Sequence, residues 1–297
     1  MNSKRNNQIA TGVIYFLVAI VILLLIGIIG NIIFSGISHL SWQFLTSSSS
    51  SFEAGGGIRD QLFNSLYLLL LTLIISLPIA LGAAIYLAEY AANNWLTQLI
   101  RTTIEILSSL PSIVVGLFGY LVFVVQFGLG FSIISGALAL TFFNLPILTS
   151  NIEEAIKGVP QTQREAGWAL GLSNWKTIRG IVIPAALPGI ITGVILSAGR
   201  VFGEAAALIY TAGQSGSTVD YSNWNMFSPT SFLNVMRPAE TLAVHIWKVN
   251  TEGIIPDVNV VSAATSALLV IVVIIFNFGA RALGNYLYKR LTGAKIK

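Results

Sequence analysis

Stretches of eighteen or more apolar residues recur along this chain of 297 residues, and a water-facing fold has nowhere to put them. A hydrocarbon layer ~30 Å thick is crossed by about 20 apolar residues in a helix, which satisfies its own backbone, so the pattern points to an all-α, polytopic membrane bundle. Six candidate spans follow, at 9–34, 62–92, 106–127, 129–150, 185–211 and 260–288. Only 9% of residues are charged, against roughly 25% in an ordinary soluble domain, which excludes a soluble architecture. Cys is absent, so disulfides, thiolate catalysis and Cys metal sites are excluded as well. Pro78, Pro111 and Pro188 fall within or at the edge of spans, where neighbouring helices re-satisfy the freed backbone groups.

The first run is longer than the ~7–15-residue apolar stretch of a secretory signal and has no clear cleavage site, so it reads as a retained span. Six spans place both termini, 91–105 and 151–184 on one side. Twelve of the sixteen Lys and Arg residues lie there, whereas Arg59, Arg237 and Lys248 lie opposite. By the positive-inside rule the richer side is cytoplasmic, with both termini in the cytoplasm. The chain then divides into 1–61 (tip, first span and outer Ser/Gly-rich loop), a transmembrane domain 62–290 and a basic tail 291–297. The tail reads as a topology determinant that can also touch anionic lipid. Of the outer segments, Ser47–Ser51 with Gly55–Gly57 reads as a flexible linker. In 212–259, residues 238–247 have helix-like spacing of Leu242, His245, Ile246 and Val249 and predict a packed surface helix, with docking of a partner as the alternative, and Trp224 and Trp247 suit a membrane interface.

The loop 153–184 holds Glu165-Ala166-Gly167-Trp168-Ala169-Leu170-Gly171, then nine residues, then Ile181-Val182-Ile183-Pro184. Thr162 or Gln161 is a candidate cap for a short helix after Pro160, and Gly171 closes it in a left-handed conformation. The chemistry alone leaves a plain inter-span hairpin and a rigid cytoplasmic knob both open. The segment resembles the EAA loop of ABC-transporter permeases, matching its spacing throughout and departing only at Gly167 for Ala and Ile183 for Leu. The resemblance implies a MetI-like permease whose coupling helix, carried by Arg164, Glu165, Ala166, Gly167 and Gly171, fits a groove on a separate ATPase. ATP and Mg belong to that partner, since the chain has no Gly-x-x-x-x-Gly-Lys-Ser/Thr phosphate cradle and no cofactor of its own.

Over about 55–290 the resemblance narrows to phosphate-uptake permeases of the PstA type. It rests on Gly55-Gly56-Gly57-Ile58 leading to Asn64-Ser65-Leu66-Tyr67, on Leu110 to Gly119, on Pro184 to Gly193, and on Gly199-Arg200-Val201-Phe202-Gly203-Glu204. Ala205 stands where that family usually has Thr. The implied partners are a second, PstC-like permease, a dimer of PstB-like ATP-binding subunits, an extracytoplasmic PstS-like phosphate-binding protein, phosphate and the lipid bilayer, with no nucleic acid. The implied location is a bacterial or archaeal plasma membrane.

Arg200 and Glu204 stand out independently of any family. A charge at the bilayer centre costs ~2.5–3.5 kcal/mol on insertion scales and normally faces a bundle interior, a partner or a water path. Four residues apart, the two would share a helix face, either as a neutralising pair or as an anion path in which Glu204 orients the guanidinium and keeps it from holding cargo too tightly. Gly189, Gly193, Gly199 and Gly203 form small-x-x-x-small pairs read as packing, against an equivalent span of a second subunit. Gly128 and Gly130 read as a turn. His39 and His245 show no carboxylate or Cys pattern for a metal, and Glu89 and Glu105 are assigned to solvation or to Arg101, with a proton relay as the alternative. The competing functions are a permease for sulfate, molybdate or phosphonate, and an ATP-independent transporter or channel. A membrane enzyme is disfavoured, because no His-Glu-x-x-His and no Ser/His/Asp set occurs at one depth.

Overall fold

Among the described residues five helices are long and apolar enough to cross a membrane, and one bent pair of helices counts as a sixth if the two halves form a single span. The computed structural model describes residues 2–50, 54–215, 219–253 and 255–293, so residues 294–297 of the basic tail and Ser51 lie outside the described residues. In chain order α1 is Asn2–Ile37, α2 is Trp42–Thr46, and α3 is Arg59–Ile85, extended by a wide π turn at Tyr86–Tyr90. Then come α4 (Trp95–Ser108), α5 (Ser112–Gly119) with a second π turn at Tyr120–Gln126, and α6 (Ile133–Lys157). The loop side carries α7 (Gln161–Ala169), α8 (Asn174–Thr177) and a third π turn at Ile178–Val182. The chain returns as α9 (Ile183–Gly203) and α10 (Ala206–Thr211), then α11 (Leu242–Glu252) and α12 (Val258–Thr292). The expected all-α bundle forms, and among the described residues the strand-like pairing is one isolated bridge between Asp220 and Ser231.

The third span departs from the expectation of 106–127. It begins at Trp95, inside what reads as a loop, and bends by 99° between Ser108 and Ser112. Pro111 has no N–H to continue the ladder and forces Leu110 out of the helical region, so the helix stops and restarts there. The two halves still advance along α6. Arg101 meets Glu153 at 3.0 Å, Phe118 stacks on Phe142 at 5.0 Å, and Gly119 closes on Ala139. Gly128 and Gly130 then turn the chain with φ of 68° and 63°, and the Ser132 hydroxyl accepts the Ser135 N–H to start α6. The fifth span likewise ends early, at Gly203 rather than 211, with Glu204 extended at φ −77°, ψ 119°.

The buried core runs along α6. Toward the loop side Leu148, Ile152 and Ile156 pack with Ala80, Ala84, Val182 and Ile190. Midway Leu140, Ala137 and Ile133 meet Leu68, Leu69, Phe202 and Leu208, and at the far side Phe44 and Ile58 join Leu242, Val249 and Val261. The described parts of the Ser/Gly segment, 47–50 and 55–57, are hydrogen-bonded to the fold there rather than free as a linker. Ile58 N–H donates to Phe44 O and Arg59 N–H to Ser47 O, and Arg59 Nη2 reaches the Ser48 hydroxyl at 2.8 Å. A Cβ on Gly57 would lie 2.2 Å from Ser47 O, so the glycine is what lets the loop close. The expected packed helix forms but is displaced toward the C-terminus, as Leu242–Glu252 rather than 238–247, because the Thr241 hydroxyl caps its start and left-handed Gly253 ends it.

The far end of α1 meets the start of α12 at Gly36, where a Cβ would stand 2.1 Å from Ala263 O, a backbone atom. Overpacking of this kind costs about 1–3 kcal/mol. Gly36→Ala is therefore expected to lower the melting temperature of the detergent-solubilised protein by several degrees and to expose α1 to proteolysis, whereas Gly27→Ala, at an open position, leaves both unchanged.

Candidate functional site

Along α9 the glycines divide into two kinds. A Cβ on Gly189 would lie 2.6 Å from Ala155 Cβ and one on Gly193 would lie 2.9 Å from Asn151 Cβ, so both close on α6 of the same chain. That corrects the expectation that they pack on a second subunit. Gly199 and Gly203 have nothing within 4 Å. With exposed Thr192 and Leu196 and half-buried Arg200 they form an open stripe of mostly small side chains carrying one cation. The position of the stripe is fixed from behind by the buried bond from Ser197 Oγ to Asn144 Oδ1, 2.5 Å, which ties α9 to α6.

Arg200 does not pair with Glu204, contrary to the four-residue reading. That spacing aligns side chains only while the helix continues, and α9 stops at Gly203. Glu204 turns inward, is 7% exposed, and accepts the Ala207 N–H on Oε1 at 3.0 Å, capping α10. It acts on Arg200 through space alone. The guanidinium instead lies over Phe143 of α6, 3.7 Å from the ring centroid, and among the described residues its N–H donors have no hydrogen-bond partner. Phe143 carries no sequence signal for this role, being one apolar residue among many on α6.

On the loop side Arg164 is buried rather than presented outward. Its guanidinium grips Glu89 in the first π turn through Nη2 at 2.6 Å and Nε at 3.1 Å, and donates to Val159 O at 2.5 Å and Ile156 O at 2.9 Å. One side chain thus ties α7 to the π turn that extends α3 and to one carbonyl in the last turn of α6 and one just past it. Arg101 pairs with Glu153, which also takes Lys157 at 2.6 Å, and Arg101 donates to Leu87 O at 3.0 Å. The assignment of Glu89 to solvation or Arg101 is therefore corrected: Glu89 belongs to Arg164 and Arg101 to Glu153.

Neither Thr162 nor Gln161 caps α7, which starts directly at Gln161 after Pro160 with no side-chain cap. Its other end behaves as the sequence predicts. Gly171, at φ 74°, donates to Trp168 O and Leu172 N–H to Gly167 O, the paired bonds of a left-handed helix stop. A Cβ on Gly167 would lie 2.7 Å from Thr177 Cγ2, so glycine in place of alanine lets α7 press on α8. Glu165 and Ala166 face solvent, beside exposed Trp168, Leu170 and Trp175.

On the far side, a carboxylate does stand beside His245, contrary to expectation: Glu240 Oε1 is 3.0 Å from His245 Nδ1, and Glu240 Oε2 accepts from Gln61 at 3.0 Å. Among the described residues no group of three or more His, Cys, Asp or Glu side chains is placed to hold a metal.

Residues 76–293 match the family described as binding-protein-dependent transport system inner membrane component. The chain is 54% identical over 98% of its length, and 99% of the relative's, to a probable ABC transporter permease protein, YqgI, of Bacillus subtilis. It is 32% identical to the phosphate transport system permease protein PstA of Xylella fastidiosa, over 85% of this chain and 83% of that one. Among solved structures, a bacterial alginate ABC transporter superposes with a TM-score of 0.62 at 14% identity, over 99% of this chain and 98% of that one. A MetNI methionine ABC transporter does so with 0.53 at 16%, over 80% and 94%. The chain therefore belongs to the binding-protein-dependent inner membrane component family: it is a membrane permease subunit of an ABC importer, with the ATPase in a separate subunit.

Proposed function

We propose that the cargo is inorganic phosphate, and that it passes along the open stripe of α9 beside Arg200. The observation that carries this reading is the guanidinium itself. It is the cation of that stripe, is held against Phe143, and has no carboxylate in ion-pair contact among the described residues, so its fork is open to two oxygens of a passing anion. Glu204, buried nearby but engaged with α10, places negative charge close by without occupying the fork, which favours release as well as entry. The likeness to PstA proteins supports phosphate among oxyanions.

In this reading the side bearing α7 is cytoplasmic, which the distribution of Lys and Arg supports. The exposed face of α7 and α8 docks on a PstB-like ATPase, which supplies ATP and Mg chemistry. A PstC-like permease faces α9 across a pseudo-two-fold axis and brings its own cation to the path. A PstS-like protein delivers phosphate to the far side. ATP-driven closure of the motor moves the coupling loop, opens the path outward, and hydrolysis returns it inward.

The test is competition. Labelled phosphate uptake by the reconstituted transporter should be suppressed by unlabelled phosphate and not by equal sulfate, molybdate or phosphonate. Suppression by one of these in place of phosphate would reassign the cargo, and uptake without ATP would remove the motor from the scheme.

A further inference from the structure

Residues 219–237 form a cap over the far end of α3 that transport along α9 does not use. The cap is stiff, because side chains close its reversals: Asp220 Oδ1 accepts Ser222 N–H at 2.9 Å, Asn223 Oδ1 accepts Asn225 N–H at 3.1 Å, Asn225 Oδ1 accepts Phe227 N–H at 3.1 Å, and Asn234 Oδ1 accepts Met236 N–H at 2.7 Å. It is also fastened to α3. Tyr221 Oη donates to Asp60 Oδ1 at 2.8 Å, Tyr67 Oη donates to Leu233 O at 2.8 Å, and Phe63 sets its edge against Tyr221 and Phe232. No residue between Asp220 and Arg237 is charged. The rim nevertheless holds Trp224 at 73%, Met226 at 57% and Phe227 at 94% exposure. A mobile loop could fold such side chains away, but this one keeps them out.

We propose that this rim is a membrane-interface anchor, with Trp224, Met226 and Phe227 seated among lipid headgroups and upper acyl chains. Depth supports it. The cap spans α3 from Asp60 to Tyr67, about 10 Å along the helix at 1.5 Å per residue, the layer where Trp and other amphipathic rings settle. Continuity supports it too. The face of α3 bearing Phe63 and Tyr67 runs on, at helical spacing, as bare Leu70 and Ile74, 55% and 68% exposed. Those are large apolar side chains with no small residue among them, the character of a lipid-facing surface rather than of a close helix–helix seam. The open stripe of α9, with Thr192, Gly199 and Gly203, has the opposite character. A rigid apolar rim directly above a lipid-facing stripe meets the same lipid higher up.

The absence of Cys makes the test direct. Phe227→Cys, and separately Met226→Cys, would carry a bimane label in the assembled transporter reconstituted in phosphatidylcholine/phosphatidylglycerol vesicles. Leu70→Cys serves as the lipid reference, and the unsubstituted complex corrects for thiols on other subunits. The expected result at both rim positions is a blue-shifted emission that loses more intensity to a shallow spin-labelled lipid than to aqueous iodide. Greater loss to iodide would overturn the proposal, and so would protection from both quenchers, which would mean that a protein covers the rim.

Discussion

Arg200→Gln is expected to abolish uptake of the proposed anionic cargo while the complex still assembles and its ATPase still turns over. The guanidinium offers two charge-assisted hydrogen bonds to an oxyanion, each worth about 1.5–3 kcal/mol, and a neutral amide supplies neither the charge nor the fork. A loss of about 3 kcal/mol or more in the state that holds the anion corresponds to at least about a hundredfold in rate or affinity. Arg200→Lys keeps the charge yet fails too, because an ammonium neither stacks on Phe143 nor presents two parallel donors. Glu204 separates into two roles by substitution. Glu204→Gln retains an oxygen to accept the Ala207 N–H and removes only the charge, so it leaves the fold intact and, in the proposed scheme, slows release; Glu204→Ala also uncaps α10. Labelled-anion uptake beside ATP hydrolysis on the same preparations reads all four, and near-normal uptake by Arg200→Gln would sink the assignment.

What the sequence reveals here is whatever is local or periodic. Six apolar runs specify the crossings because a helix is the one open-chain way to satisfy a backbone in hydrocarbon. Gly171, Gly128 and Gly130 announce their turns because left-handed backbone is costly for other residues. The bend at Pro111 was half legible, since proline marks a break but not whether the chain goes on in the same direction. What stays hidden is long-range pairing. Nothing in Glu89 says that its partner lies seventy-five residues away, nor does Arg200 point to an aromatic ring on another helix. Four-residue spacing joined Arg200 to Glu204 only on the premise of an unbroken helix, and Gly203 with the extended Glu204 removed that premise. The Ser/Gly loop failed for a related reason. Composition describes the entropy of a free chain, whereas Gly57 is there to admit the Ser47 carbonyl.

The Glu89–Arg164 clamp sets up the second large effect, expected in coupling rather than in the path. Both side chains are 10% exposed, and deleting one member of a buried pair typically costs about 3–5 kcal/mol because the other charge is left uncompensated. Arg164→Ala would strand the Glu89 carboxylate, take the guanidinium donor from the Val159 carbonyl and leave Ile156 O with the Val159 N–H alone, freeing α7 from α3 and α6 at once. The outward face with Trp168, Leu170 and Trp175 is untouched by that change, so a motor that docks there should still bind and hydrolyse ATP. The expected phenotype is uncoupling: hydrolysis continues and uptake falls at least tenfold. Glu89→Ala gives the same split in milder form, since Arg164 keeps its two carbonyls. The double exchange Glu89→Arg with Arg164→Glu restores the pair but not those carbonyl contacts, so it should recover part of the uptake lost by either single exchange. Full coupling in Glu89→Ala would show that the loop transmits motion without this clamp. Loss of hydrolysis together with uptake would place the effect in docking, and a cysteine pair at 89 and 164, crosslinked in place of the ion pair, distinguishes the two by restoring transport only if rigidity is what the pair supplies.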